Sequence, residues 1–290
     1  MLERKKRMVM KAIDVHAHFS TEKGSTFRTL EEIAAAERVY KTAIKWKTDK
    51  QMADDFQASA VRAILDGPLC EDINDLRANN NYVNEIILRN PNVFAGAWAH
   101  IPVRTGKEGL IELERCLRKL KMTGLVVNQI ENLTGCNDSR FYPFYELCDS
   151  LHAPVLINVG HSGTGAGLPG GGGLHLKHGS PMNVDDVAAD FPNLMIIAGH
   201  PAWPWQDEMI AVLLHKPNVF NELHGWLPRY FSAELKKEIG GRLQDKFMFG
   251  SGYPLFSFER LFTEWESLGL RDGVLEKVYF SNAQRVLKIV

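Results

Sequence analysis

His16 and His18 stand two residues apart in the segment DVHAH, directly after the apolar run Ala12–Val15. Alternate residues of a strand point to one face, so both imidazoles are expected on the same side. Two later apolar runs end in the same way: VLINVGH reaches His161 and LMIIAGH reaches His200. Imidazole ligates borderline cations such as zinc and titrates near neutral pH. Histidines that close three apolar runs therefore predict a shared site with a metal ion in it. The spacing alone supports metal-assisted hydrolysis in general.

Those histidines meet only if the runs before them lie side by side. Eight short apolar runs recur along the chain: Ala12–Val15, Val61–Leu65, Phe94–Ile101, Leu125–Ile130, Val155–Val159, Leu194–Ala198, Val219–Leu223 and Phe247–Phe249. Segments of helical spacing separate them, among them Asp72–Arg89, Lys107–Lys121, Phe141–Leu151, Pro204–Leu214 and Ser232–Leu243. This alternation predicts an α/β fold of parallel strands joined by right-handed crossovers, closed as a (β/α)8 TIM barrel. An open doubly wound sheet is the rival. It favours a glycine-rich turn after its first strand, where this chain has His16-Ala17-His18. In a barrel the active site collects at the C-terminal ends of the strands. Residues 1–290 read as one barrel domain with no dividing linker.

Two connections are long. Residues 19–58 carry a capping-box pattern at Thr29 and Glu32, followed by Leu30, Ile33 and Ala34 on one helical face. They are expected to form a helical lid over the barrel mouth. Residues 160–183 hold four consecutive glycines, 170–173, and are expected to form a mobile loop without regular structure. A phosphate cradle there lacks the GxxxxGK[ST] pattern, although Lys177 and exposed backbone amides would suit a coenzyme A tail. His175 and His178 are expected to face solvent or substrate.

The 34 Lys+Arg and 35 Asp+Glu residues of this 290-residue chain give a net charge of −1. No global field exists to hold nucleic acid or an anionic membrane, and neither partner is expected. The basic cluster Arg4-Lys5-Lys6-Arg7 reads as a solvated tail. No apolar run approaches the roughly 18 residues of a spanning helix. Cys70, Cys116, Cys136 and Cys148 never form a CxxC pair, so free buried thiols in a reducing cytoplasm are the expectation.

The order of HxH, His161, His200 and then FGSGYP resembles the amidohydrolase superfamily. The likeness runs from Ile13 to the C-terminus through DVHAH, ADFPNLMIIAGHPAWPWQDE, NELHGWLPRYF and MFGSGYP. It points to the amidohydrolase-2 branch, with aminocarboxymuconate-semialdehyde decarboxylase, γ-resorcylate decarboxylase and hydroxyphenyl-β-ketoacyl-CoA hydrolases. The resemblance implies one divalent ion, zinc first and manganese or iron as alternatives, held by His16, His18 and His161. It implies that His200 polarises the substrate or activates water. It also implies carbon–carbon cleavage of an aromatic or unsaturated acid or acyl-CoA, and a homodimer.

One position departs from that pattern. The family reads GSDYP after the eighth strand, with an Asp that ligates metal and handles protons, whereas this chain has Gly252. A positioned general base contributes about 10²–10⁴-fold, so chemistry relying on that carboxylate should be slowed by as much. Glu222 is a candidate replacement, sharing a strand face with His224, or else a structural acid that orients a ligand. Asp14 is expected on the face of His16 and His18, one layer deeper, as a hydrogen-bond partner of a ligand. His100 and Asn128 end strands three and four and either line the pocket or fill the rim. Trp203, Trp205 and Trp226 either pack in the core or wall a planar substrate. His224, Asn128, Trp203 and Trp226 are the expected substrate contacts, with His200 and Glu222 the catalytic pair. Two other functions compete: an amide or lactone hydrolase of the same superfamily, and a catalytically impaired barrel that binds metal or small molecules.

Overall fold

A computed structural model describes residues 10–40 and 43–289. The basic cluster at residues 4–7 lies outside them. Eight strands form one sheet in sequence order, each parallel to the next: β1 (Ala12–His18), β2 (Val61–Asp66), β3 (Phe94–His100), β4 (Gly124–Asn128), β5 (Val155–Asn158), β6 (Ile196–Gly199), β7 (Val219–Glu222) and β8 (Phe247–Met248). Backbone bonds from Val15 N to Phe249 O (3.0 Å), Gly252 N to His16 O (2.9 Å) and His18 N to Tyr253 O (3.1 Å) close the ring between β1 and the turn after β8. The fold is the expected (β/α)8 barrel. Helices follow nearly every strand, and those that the apolar spacing did not single out include Met182–Asp190, Phe258–Glu266 and Asn282–Leu287.

The strand residues divide between two cores by alternation. Ile13, Val15, Ile64, Trp98, Val126, Leu156, Ile197, Phe220 and Met248 fill the barrel interior, closed at its base by Ala283 and Val286. Their neighbours Ala12, Ala63, Leu65, Ala97, Ala99, Leu125, Val127, Val155, Ile157, Ile196, Ala198 and Val219 pack outward under the helices. Two residues beyond each apolar interior residue the strands present Asp66, His100, Asn128, Asn158, Gly199, Glu222 and Gly250. The interior is thus an apolar plug with a polar layer on top, at the C-terminal rim.

β1 breaks the alternation. With Ile13 and Val15 inside, strict period two would turn His16 and His18 outward. The pairing of β1 with β2 slips between Asp14 and Ala17, and this irregularity brings both imidazoles back to the interior. The Val15 carbonyl at the slip accepts the indole N–H of Trp98 at 2.8 Å. Asp14 is displaced from the face expected for it. Its carboxylate accepts the backbone N–H groups of His16 (3.2 Å) and Ser251 (2.9 Å) and the Ser251 hydroxyl, tying β1 to the turn after β8.

Residues 19–58 fold as helices Glu22–Ser25, Leu30–Tyr40 and Asp49–Ala58. Leu30 is 85% exposed and Ala34 is exposed, while Ala35 is buried, so the second helix presents a different face from the one expected. The side chain of Glu32, half of the expected capping box, lies outside the described residues; a complete capping box instead opens the third helix at Thr48 and Gln51. Phe56 packs its ring 4.8 Å from Tyr253 and seats this insertion beside the turn after β8. Within 160–183, residues Pro169–Gly173 wind as a short turn in which Gly170, Gly171 and Gly172 have φ of 59°, 65° and 65°. Only glycine repeats that left-handed conformation without strain, so the segment has local structure where none was expected. All four cysteines are buried, and no described helix is long and apolar enough to cross a membrane.

Replacing Trp98 by Phe removes the donor to the Val15 carbonyl and leaves a void in the barrel interior. The variant is expected to lose about 2–4 kcal/mol in urea unfolding. An unchanged midpoint and slope would mean that the slip in β1 is held by other contacts.

Candidate functional site

The polar layer converges on His16. Its Nδ1 lies 3.0 Å from Glu222 Oε1 on β7, and its Nε2 lies 3.2 Å from Asp66 Oδ2 on β2. His18 Nδ1 is 3.6 Å from the same Asp66 oxygen. Across the mouth, His224 Nδ1 is 2.6 Å from Glu222 Oε1, and the His224 ring lies 3.7 Å from the His16 ring. One nitrogen each of His16, His18 and His224 falls within 4.8 Å of the others, a spacing that admits a single ion. His16 and Glu222 are wholly buried, Asp66 nearly so, and His18 is open to the pocket with 29% of its side chain exposed.

The carboxylates fix which ring nitrogens remain available. Glu222 accepts Nδ1–H from both His16 and His224 and so leaves Nε2 of each to face the centre. Glu222 Oε2 also takes the His224 backbone N–H at 2.9 Å, which curls the chain after β7 over the strand end. Glycines on the flanking strands leave room for it. A Cβ at Gly250 would stand 2.3 Å from Glu222 Oε2, and one at Gly199 would stand 2.9 Å from Oε1. Burial opposes charge on all these groups; for His16, Asp66 and Glu222 the neighbouring groups outweigh it, whereas for His18 and His224 burial prevails. Glu222, then Asp66, raise the His16 imidazole to about 10 against the burial that would lower it. Asp66 is held well below the ordinary carboxylate range by His100 and His16 despite its burial, as is Glu222 by His224 and His16. The centre therefore holds two ionised carboxylates around one protonated imidazole, His16, while burial keeps His18 and His224 below the ordinary imidazole range.

The donor set suits a divalent ion. His16 Nε2 and Asp66 Oδ2 face each other as two lone-pair donors whenever His16 Nδ1 carries the proton given to Glu222. Only a proton or a metal cation between them relieves that opposition. Three imidazoles beside a carboxylate can hold zinc, manganese or ferrous iron.

His200 follows β6 with φ of 72°, strained for a residue with a Cβ. Asn221 holds this bend by donating to the carbonyls of Ala198 (2.7 Å) and His200 (2.8 Å). The His200 ring lies 4.0 Å from His224, and its Nδ1 is buried with no hydrogen bond among the described residues. Burial, then the neighbouring His224, push its pKa well below the ordinary imidazole value, so the ring is neutral. His161 is placed differently from His16 and His18. Its ring lies 5.8 Å from Trp203 and 6.2 Å from Trp226, and it is not among the three clustered imidazoles. The two indoles stand 5.7 Å apart, with Trp203 47% exposed, as one wall of the mouth. Asn128 is buried in the rim, where its side-chain oxygen accepts Glu131 N at 3.3 Å. His100 Nδ1 lies 3.1 Å from the Gly67 carbonyl and 3.4 Å from Asp66 Oδ1. His175 and His178 pair with each other at 5.9 Å in the glycine-rich segment.

Sequence reasoning passed over Asp66, because the second apolar run ends at Leu65. The signal was present: Ile64-Leu65-Asp66 repeats the pattern of Trp98-Ala99-His100, Val126-Val127-Asn128 and Phe220-Asn221-Glu222, an apolar residue, one spacer, then a polar residue.

A barrel with this rim defines an enzyme of the metal-dependent hydrolase and carboxy-lyase class. Residues 13–289 match the amidohydrolase family, and the chain belongs to it. It is 22% identical over 272 residues to the γ-resorcylate decarboxylase of Polaromonas sp. (strain JS666), covering 81% of this chain and 82% of that protein. A shorter stretch of 79 residues is 27% identical to the 2-amino-3-carboxymuconate-6-semialdehyde decarboxylase of Dictyostelium discoideum, covering 27% of this chain and only 22% of that relative. Among solved structures, dihydroxybenzoic acid decarboxylase from Polaromonas sp. JS666, with bound manganese and 2-nitroresorcinol, superposes with a TM-score of 0.68 at 16% identity, covering 97% of each chain.

Gly252 bears directly on this geometry. Its φ is 59°, and a Cβ built there would lie 3.1 Å from His224 Cδ2 and 3.2 Å from the Gly225 amide. A side chain at 252 and the His224 ring compete for one space. Gly252→Asp is therefore expected to displace His224 instead of restoring function, with no gain in turnover. Gly252→Ala should lose about 1–2 kcal/mol from the left-handed backbone and the tight contact. Thermal melts and turnover of both variants check this; a hundredfold rise in activity for Gly252→Asp would contradict it.

Proposed function

We propose that this chain is a divalent-metal-dependent carboxy-lyase that removes the carboxyl group of a small aromatic or unsaturated acid. The observation that carries the reading is the convergence of His16, His18 and His224 around buried carboxylates at the rim of the barrel. Family membership and the decarboxylases among its relatives support it. His16, His18 and His224 hold the ion. When bound, it supplies Lewis-acid polarisation of a substrate oxygen. Manganese is a natural first choice beside zinc, given the manganese in the related decarboxylase structure.

The remaining residues have defined work. Glu222 orients the rings of His16 and His224 through their Nδ1–H groups, fixing Nε2 toward the centre. Trp203 and Trp226 give a planar ring an apolar face and limit water at its edge. His161 stands at that wall, within reach of a polar substituent on the substrate. Decarboxylation replaces a carbon–carbon bond by a carbon–hydrogen bond, so one proton must reach the carbon that loses CO2. His200, neutral at rest with an unspent Nδ1 and adjoining His224, would relay that proton, taking it up from solvent water and passing it to the carbon. The helices of 19–58, seated beside the turn after β8, serve as the lid that sets pocket shape.

The reading predicts CO2 release from hydroxybenzoate-type acids, with little turnover on a lactone panel. His200→Gln should lower kcat by about 10²–10⁴-fold while metal content stays unchanged. His16→Ala should lose both the metal and activity. Turnover confined to lactones or amides would replace this proposal with a hydrolase, and no turnover by the metal-loaded protein on either panel would replace it with a binding role.

A further inference from the structure

Asp66 is the buried group of the rim that the reading above leaves without a task. It ends β2, paired in register with His18, and is 1% exposed. Its Oδ2 lies 3.2 Å from His16 Nε2 and 3.6 Å from His18 Nδ1. Its Oδ1 faces His100 Nδ1 at 3.4 Å and makes no hydrogen bond among the described residues. A carboxylate that served only to brace an imidazole would accept the ring nitrogen turned away from the centre, as Glu222 does with both of its histidines. Asp66 meets His16 at the opposite nitrogen, on the side where the three imidazoles converge.

We infer that Asp66 is a ligand of the same ion as His16, His18 and His224, so that the centre takes its carboxylate from β2. The inference rests on the metal-dependent reading above and assigns a further ligand within it. Two donors bound to one ion at about 2.1 Å stand about 3.0–3.4 Å apart, across the octahedral and tetrahedral cases. The 3.2 Å from Asp66 Oδ2 to His16 Nε2 falls within that range, and the 3.6 Å to His18 Nδ1 lies just beyond it. His100 sits behind Asp66 as a positioning residue: its Nδ1 lies 3.1 Å from the Gly67 carbonyl and its Nε2 3.8 Å from Glu131 Oε2. This arrangement also accounts for a glycine at 252. With a carboxylate on β2 and an imidazole from the segment after β7, a third carboxylate from the turn after β8 would add charge where His224 already fills the space.

The test is binding of manganese to the full chain, followed by the electron paramagnetic resonance of the free ion, together with cobalt substitution in an Asp66→Cys variant. Asp66→Ala and the isosteric Asp66→Asn should each weaken manganese binding by more than about 100-fold, the upper range for residues that only orient a ligand. Cobalt-loaded Asp66→Cys should show a thiolate-to-cobalt charge-transfer band that the cobalt-loaded wild type lacks, since thiolate is a strong ligand wherever it touches the ion. A folded Asp66→Asn with wild-type affinity, or an Asp66→Cys protein that binds cobalt without the band, overturns the assignment. Full manganese binding by His16→Ala and His18→Ala would instead overturn the metal centre itself, and Asp66 as its ligand with it.

Discussion

The chemistry of this barrel depends on a slip of one residue in its first strand. The segment that carries His16 and His18 begins with Ile13 and Val15 turned into the barrel, and a regular strand would have sent the two imidazoles out under the helices. The irregularity between Asp14 and Ala17 reverses them, and the neighbouring side chains secure it. Trp98 takes the Val15 carbonyl, and Asp14 binds the amides of His16 and Ser251. A buried carbonyl or carboxylate without such partners would be costly, so the slip persists only because the interior satisfies it.

Above the plug the rim obeys charge balance. Two carboxylates, Asp66 and Glu222, are sunk among imidazoles in an almost water-free layer, and neither would be ionised there alone. Each is stabilised by rings on other strands, so the sites on β1, β2 and β7 stand or fall together. His200 belongs to the same layer in another sense. It is kept neutral by its burial and by the neighbouring His224, close to the protonated His16.

Much of this was legible in the amino-acid sequence. The eight apolar runs, their alternation with helical spacing, and the histidines closing the first, fifth and sixth runs led to the barrel and to its active rim. What escaped has a physical cause in each case. The slip in β1 comes from packing against Trp98 and Ser251, partners far away in sequence, and period-two reasoning therefore put Asp14 on the wrong face. Asp66 was passed over because an apolar run was ended at its last apolar residue, one short of the polar residue that mattered. The segment after β5 sets His161 beside Trp203 and Trp226, and a position at a strand end does not reveal how far its ring stands from those of His16 and His18. The approach of the His224 ring to His16 depends on Glu222 and on the glycine at 252, neither of which spacing reveals.

The most direct measurement is anomalous diffraction at the manganese edge from crystals of the wild-type protein grown with the ion. The account predicts a single strong peak bounded by the side chains of His16, His18 and His224. A peak beside His161 away from those three rings, or none at the rim of a fully ordered barrel, would contradict it.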